Sequence, residues 1–356
     1  MKIFITGICG FVGSSLARGL REALPKARIA GIDNLVRPGS EINRRLLKPL
    51  GISVVHGDIR NAGDLDSCQP ADWIIDAAAN PSVLAGVDGK TSSRQLVEHN
   101  LLGTMNLLEL ARKWSCGFIM LSSSRVYSIP ALAGLKMRIR NQAFVPASQS
   151  LRIRGMTSSG ITEEFSTQAP VSLYGATKLA SECLALEYGS AYDLPVFVNR
   201  CGVLAGAGQF GKADQGIFSY WIHAYMRRMP LRYIGFNGRG CQVRDCLHPL
   251  DLLALIRRQI AHPQATPMRV LNVSGGVANS MSLARLSAWC AERFGPRRIG
   301  VSRECRPFDI PWLVLNAQPA RQVWNWDPVI PLSQILDEIA RHAEQNPRWL
   351  ELCGDG

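Results

Sequence analysis

Lys2-Ile3-Phe4-Ile5-Thr6-Gly7-Ile8-Cys9-Gly10-Phe11-Val12-Gly13 decides the fold. The apolar run Lys2–Thr6 reads as a buried strand, and Phe11–Ala23 has the spacing of a helix. Three glycines fill the turn between them. Glycine there permits a tight turn, close backbone approach to a pyrophosphate and close packing of helix on strand. The helix N-terminus then turns free N–H groups and the positive end of its dipole toward an anion.

Working outward, Arg28–Ile32 is a second strand ending in Asp33-Asn34, with Asp33 twenty residues beyond Gly13. A carboxylate there accepts both ribose hydroxyls of NAD and repels a 2′-phosphate, even with Arg37 nearby. Ser53–His56 is a third strand, followed by Asp58 and Ile59, which are placed to flank an adenine. Trp73–Ala79 is a fourth, and Ala77, Ala78 and Ala79 keep the backbone bare where a cofactor passes. Arg94–Lys113 reads as a long helix, and Gly117–Leu121 as a fifth strand running into Ser122-Ser123-Ser124. Apolar strands alternating with helices imply an α/β, Rossmann-type, doubly wound parallel sheet. The expected cofactor-binding set is Gly7, Cys9, Gly10, Phe11, Val12, Gly13, Asp33, Asn34, Asp58, Ile59, Ala77, Ala78, Ala79 and Ser122, with NAD as the cofactor.

Residues 128–170 break this rhythm with Pro130, Pro146, Gly155, Gly160 and Pro170 among Lys136, Arg138, Arg140, Arg152 and Arg154. A connection this long exceeds the ~4–6 residues usual in compact domains, and it is expected to run over the rim of the site. Helical spacing resumes at Ser172–Tyr192 and is followed by a strand at Pro195–Arg200. The later pattern is irregular: helices at Gly216–Arg228, Pro249–Ala261, Ser282–Phe294 and Leu332–Asn346, and strands at Arg232–Ile234 and Val270–Val273. This divides the chain into a nucleotide-binding unit, 1–200, and a smaller mixed α/β substrate unit, 201–356, with 241–262 packing back on the first.

The 356 residues are 47% hydrophobic and 19% charged, which excludes a disordered chain. Forty basic residues, only eight of them Lys, against 28 acidic give +12. That charge admits nucleic acid or an anionic small molecule. However, the bases are dispersed and no nucleic-acid module occurs, so neither nucleic acid nor a membrane is expected as partner. Arg227-Arg228, Arg257-Arg258 and Arg297-Arg298 read as solvated faces, and Trp324 and Trp326 as core or interface. Ten cysteines without a C-x-x-C pair argue against structural zinc and fit reduced thiols in a cytoplasm. No metal site is expected.

Tyr174-Gly175-Ala176-Thr177-Lys178 places Tyr and Lys four apart on one helix face. An ammonium beside a phenol favours the phenolate, and such a Tyr exchanges the proton of a sugar hydroxyl while hydride moves to a nicotinamide.

With these residues in view, the chain resembles the extended short-chain dehydrogenases/reductases of the nucleotide-sugar epimerase/dehydratase group. The matching positions are the glycine turn, Asp33, Asp58, Asn100 with Gly103-Thr104, Ser122-Ser123 with Val126-Tyr127, Tyr174/Lys178, Arg200, Arg244-Asp245 with His248, and Asn272 with Gly275-Gly276. The resemblance implies that Ser123, Tyr174 and Lys178 are catalytic and that Tyr174 and Lys178 also touch the cofactor. It implies a nucleotide-diphosphate sugar held by Asn80, Ser123, Ser124, Arg125, Gln209, Gln215 and Arg244. Arg200 is expected to face the diphosphate with Arg244, and His248 to be structural. Asp214-Gln215-Gly216, Gly238–His248, His56–Asn61 and Asn279–Leu283 are similar to the CDP-tyvelose (CDP-paratose 2-) epimerase subfamily. That likeness implies a CDP-sugar inverted at C2, with a UDP-sugar 4-epimerase or a non-catalytic NAD-binding regulator as alternatives. Ser124-Arg125 stand where dehydratases carry an acidic pair, and Asp76 and Ser128 replace the group's usual His and Gly. A homodimer or dimer of dimers, paired through helices 94–113 and 173–192, is also implied.

Overall fold

The nucleotide-binding strands lie parallel, as their apolar runs require. In chain order they and their helices are β1 (Lys2–Thr6), α1 (Phe11–Ala23), β2 (Arg28–Asp33), α2 (Ser40–Leu47), β3 (Ser53–His56), α3 (Ala62–Asp66), β4 (Trp73–Asp76), α4 (Ser93–Val97), α5 (Gly103–Trp114) and β5 (Gly117–Ser123). A π-helical turn, Glu98–Leu102, joins α4 to α5, so the long helix expected from sequence is one rod with a bulge. The computed structural model describes residues 1–87, 89, 91–213, 215–302, 304 and 307–354.

The excursion 128–170 is folded: α6 (Ile129–Ala133), a hairpin of β6 (Met137–Arg140) and β7 (Ala143–Pro146), then β8 (Met156–Thr157) and β9 (Gly160–Ile161). Next come α7 (Ser172–Ala191), β10 (Val196–Cys201), β11 (Val203–Leu204), α8 (Ile217–Met226), β12 (Arg232–Tyr233), β13 (Val243–Leu247), α9 (Pro249–Ala261) and β14 (Val270–Val273). The chain finishes with β15 (Ser280–Ser282), α10 (Leu283–Phe294), β16 (Gly300–Val301), β17 (Trp312–Leu313), α11 (Gln318–Trp324), α12 (Leu332–Gln345) and α13 (Trp349–Leu352).

Seven strands form one sheet in the order β14-β10-β5-β4-β1-β2-β3, every neighbouring pair parallel. The order reverses between β1 and β4, and a crevice opens there at the carboxyl ends of the strands. β14 comes from beyond residue 200, and α9 shares one core with α1, so the C-terminal part completes the sheet. β11, β13, β15 and β17 make a smaller sheet. Around it, α8, α10 and α12 bury a core of their own, including Trp221, Ile222, Leu286 and Ile339. β4 ends at Asp76, three residues earlier than the apolar run suggested, because Ala77, Ala78 and Ala79 leave the sheet to line the crevice.

The structure corrects three expectations. First, the excursion does not edge the site: none of its described residues lines the crevice. Its apolar side chains Leu132, Met156, Ile161 and Phe165 need cover and find it against Ile310 and Trp312–Leu315. Ile161 N–H donates to the Val314 carbonyl and Asn316 N–H to the Ile161 carbonyl, each at 2.8 Å. Second, Arg200 faces no diphosphate. It is buried against Glu182, with its guanidinium over the Tyr127 ring. Third, the paired arginines are not simply solvated. Arg297 donates to the carbonyls of Ala224, Tyr225 and Met229, and Arg258 to those of Trp324 and Asn325. Carbonyls that end a helix lack intrahelical donors and are capped by such side chains.

Candidate active site

A cleft of about 1120 Å³ runs from the carboxyl ends of β1 and β2, past β4 and β5, to the C-terminal unit. At its floor Gly7 has φ +59°, and a Cβ there would come within 2.9 Å of the Ala78 Cα. A Cβ on Gly13 would lie 2.2 Å from the Gly7 carbonyl oxygen. Only glycine lets α1 and the loop after β4 approach the turn this closely. Gly10 caps α1 without a side chain, and no acidic residue enters the first helical turn. The helix dipole therefore meets the cleft unopposed, which fits a pyrophosphate.

Gly7, Gly10, Phe11, Val12, Gly13, Asp33, Asn34, Asp58, Ile59, Ala77, Ala78, Ala79 and Ser122 all line the cleft. Cys9 does not. Its side chain is in the core, and burial, then the Asp33 carboxylate, push its thiol up to about 12. Its backbone N–H instead donates to Asp33 at 2.8 Å, and Leu35 N–H donates to the other carboxylate oxygen at 2.8 Å. Burial raises the Asp33 pKa, while the Leu35, Cys9 and Gly10 N–H groups oppose the rise. Asn34 donates to Asp58 at 2.9 Å, and Arg60 closes on the same carboxylate. Burial works against ionisation of Asp58, but hydrogen bonds from Arg60 and Asn34 prevail and hold its pKa well below the usual carboxylate range.

At the opposite wall Ser123, Ser124, Arg125 and Tyr174 line the cleft. The Ser123 hydroxyl accepts the Arg125 N–H at 3.1 Å, which turns the chain out of β5. Lys178 lies one helical turn beyond Tyr174 on α7 and is 2% exposed. The Ser122 hydroxyl points away from the cleft and donates to Glu182, which in turn takes Arg200 in a bidentate grip of 2.7–3.1 Å. Burial pushes the Tyr127 phenol up to about 12, with Arg200 opposing, and its hydroxyl donates to Asn272 at 2.7 Å. This buried network fixes the floor on which Ser123 stands.

Asn80 lines the cleft and is pinned by Asn100. Asn80 N–H donates to Asn100 Oδ1 at 2.8 Å, and Asn100 Nδ2 returns to the Asn80 carbonyl at 3.1 Å and to the Thr177 hydroxyl at 3.2 Å. The π-helical turn places Asn100 where it meets both, and such bulges recur at functional sites. Asp76, where the group's usual residue is His, is buried and accepts the hydroxyls of Thr6 and Thr104.

On the C-terminal side Gln209, Gln215 and Arg244 line the cleft. Arg244 on β13 donates to the Val243 carbonyl at 2.8 Å and lies 3.8 Å from Asp309. Gln209 donates to the Leu204 carbonyl, and Gln215 Oε1 accepts Arg37. Asp214 lies outside the described residues. His248 caps α9 and meets Glu338 at 3.2 Å. Sequence reasoning missed Lys212, Arg232, Phe308 and Asp309, which also line the cleft. They stand on loops, on a two-residue strand or beside one, and no periodicity marks them.

Residues 3–274 match the model of the NAD dependent epimerase/dehydratase family. A CDP-paratose 2-epimerase of Salmonella typhi is 30% identical over 80% of this chain and 82% of its own length. A dTDP-glucose 4,6-dehydratase of Streptomyces antibioticus is 28% identical over 78% of this chain and 72% of its own. Among solved structures, UDP-glucuronic acid 4-epimerase from Bacillus cereus, crystallised with UDP-glucuronic acid and NAD, superposes with a TM-score of 0.75 at 22% identity, covering 97% of this chain and 99% of the other. The chain belongs to the NAD dependent epimerase/dehydratase family. Its cofactor is NAD, and the bare glycine cradle, the unopposed helix N-terminus and the anchored Asp33 fit it.

Proposed function

We propose that this family member is a nucleotide-diphosphate-sugar epimerase, and specifically one that inverts C2 of a CDP-sugar. The likeness to the CDP-paratose 2-epimerase, at 30% identity over four-fifths of the chain, carries the choice of sugar nucleotide and carbon. Ser124 and Arg125 support epimerisation over dehydration: they follow Ser123 in the cleft, and neither offers a carboxyl group to protonate a leaving hydroxyl.

Bound NAD supplies the hydride acceptor and donor. Gly7, Gly10 and Gly13 would cradle its pyrophosphate, and Asp33 would take the adenosine ribose hydroxyls. Asn34, Asp58 and Ile59 border the adenine, while Ala77, Ala78 and Ala79 let the chain pass close by. Tyr174 takes the proton of the sugar hydroxyl as the C–H bond at that carbon breaks. It would return that proton when the carbon is reduced again, so no net oxidation occurs. Ser123 donates to the reacting oxygen as it becomes a carbonyl. Lys178, one helical turn beyond Tyr174 on α7, would hold the nicotinamide ribose. Arg244 neutralises the substrate diphosphate, and Asn80, Ser124, Arg125 and Gln209 surround the sugar nucleotide.

The working unit is inferred to be a homodimer. Val97, Leu102, Met105 and Leu173 are 40–44% exposed on α4, α5, α7 and the turn joining the first two, an apolar face a second copy would cover. No described helix is long and apolar enough to cross a membrane. The described cysteines are free thiols, as a reducing cytoplasm keeps them.

The test is a panel of CDP-, UDP-, GDP- and dTDP-sugars followed by NMR. Inversion at C2 of a CDP-sugar is expected, with turnover reduced roughly 10²–10⁴-fold in Tyr174→Phe. Consumption of a UDP-sugar with inversion at C4 would replace the CDP reading, and full activity in Tyr174→Phe would refute the mechanism.

A further inference from the structure

Arg37 stands four residues beyond Asp33, on the loop that leaves β2, and reaches across the cleft. Its Nη1 donates to Gln215 Oε1 at 2.9 Å, and its Nη2 donates to the Phe210 carbonyl. Val36, Arg37 and Pro38 form one lip of the cleft there; Phe210, Lys212 and Gln215 form the other. Close packing lies beside the bridge. Gly39, at φ +90°, lies so close to the Phe210 ring that a Cβ would come within 2.8 Å of it. Phe210 stacks on Trp349 with ring centroids 5.5 Å apart, and Trp349 Nε1 donates to the Gln209 carbonyl at 2.9 Å. A Cβ on Gly354 would meet Pro38 at 3.4 Å and the Lys212 ammonium at 3.6 Å. The bridge starts four residues beyond Asp33, at that end of the cleft, and Gln215, expected on the sugar nucleotide, engages Arg37 instead.

We propose that Arg37 is a positioning residue that clasps this end of the cleft and retains the dinucleotide between the two halves of the reaction. The inference rests on the epimerase reading for its purpose. An enzyme that oxidises and then reduces the same sugar must keep the same nicotinamide throughout; escape between the steps strands a keto-sugar. The arrangement also gives the guanidinium a use other than holding a 2′-phosphate: one of its nitrogens is committed to an amide oxygen and the other to a backbone carbonyl on the far lip. Charge-assisted hydrogen bonds are the stronger ones, and both must break for the lips to part.

The test measures NAD dissociation from purified protein without any sugar, by gel filtration with quantified NAD content and by stopped-flow displacement of NADH. Arg37→Ala is expected to release the dinucleotide roughly tenfold faster or more, tenfold being about 1.4 kcal/mol. Gln215→Leu, which keeps the Phe210 bond, should give a smaller increase, and the double variant should match Arg37→Ala alone. The NAD-free variant should keep its far-UV circular dichroism and a single cooperative melt, which separates a clasp from a fold defect. Unchanged dissociation in Arg37→Ala would overturn the proposal. So would an effect confined to NADP affinity, which would make Arg37 a phosphate-reading residue. Failure of every sugar in the panel would sink the epimerase reading while leaving this measurement intact.

Discussion

Replacing Glu182 by Leu removes the carboxylate from a buried ion pair whose side chains are 4% and 10% exposed. Three guanidinium contacts of 2.7–3.1 Å vanish, and the Ser122 hydroxyl loses its acceptor. Of its described hydrogen bonds Arg200 would keep the one to the Tyr127 hydroxyl at 3.4 Å, with the Tyr127 ring 5.3 Å from its guanidinium. A buried charge stripped of its partner costs about 3–5 kcal/mol, a large share of the roughly 5–15 kcal/mol that holds a folded protein. Removing the charge as well, in Glu182→Leu/Arg200→Met, should recover much of that loss, because two apolar side chains of similar volume need no counter-charge. Urea unfolding followed by tryptophan fluorescence gives the four corners of the cycle. The double variant should be more stable than Glu182→Leu, with a coupling of about 2 kcal/mol or more, within the upper range for residues in contact. A loss under about 1 kcal/mol in Glu182→Leu, or strictly additive losses, would refute the account of this network as the fixed floor beneath Ser123.

Gly13→Ala puts a methyl 2.2 Å from the Gly7 carbonyl and forces α1 off the turn. Stability should fall by about 1–3 kcal/mol, and NAD affinity, read by calorimetry, should fall with it; unaltered affinity would contradict the cradle. Burial, then His342 and Arg227, holds the His223 pKa down to about 3, and burial holds His342 down to about 4. Both imidazoles stay neutral in the fold while those of the unfolded chain take up protons below about 6.5. Their stabilising contribution is therefore complete above that pH and is lost as pH falls toward about 4, by up to about 1.4 kcal/mol per pH unit for each ring. Thermal melts from pH 7 to 4.5 should show the decline, and it should be shallower in His223→Gln and His342→Gln; identical slopes would dismiss it. Met105→Arg places a charge in the apolar face of α5 and should yield monomers by sedimentation, whereas an unchanged assembly would move the dimer interface elsewhere.

The cofactor half of the site was legible because its chemistry is local. Gly7, Gly10, Gly13 and Asp33 act through backbone geometry at the ends of consecutive strands, and such positions announce themselves by spacing. The position of Tyr174 on the cleft wall, with Lys178 one helical turn on, follows likewise from local helical spacing. Arg200 misled because its meaning depends on a carboxylate eighteen residues earlier, on another element. The excursion misled because length and charge say where a chain is irregular but not which apolar surface will cover it; Trp312–Leu315 is well over a hundred residues away.

The sequence by itself determined a parallel α/β sheet with a dinucleotide turn, since residue period and glycine spacing follow from backbone sterics alone. Tertiary structure decided which polar side chains face the cleft and which are buried as ion pairs. It also decided that Arg37 reaches Phe210 and Gln215, some 175 residues on. Those outcomes depend on contacts between parts of the chain far apart in sequence. No local pattern encodes that, because the interacting groups share neither an element nor a period.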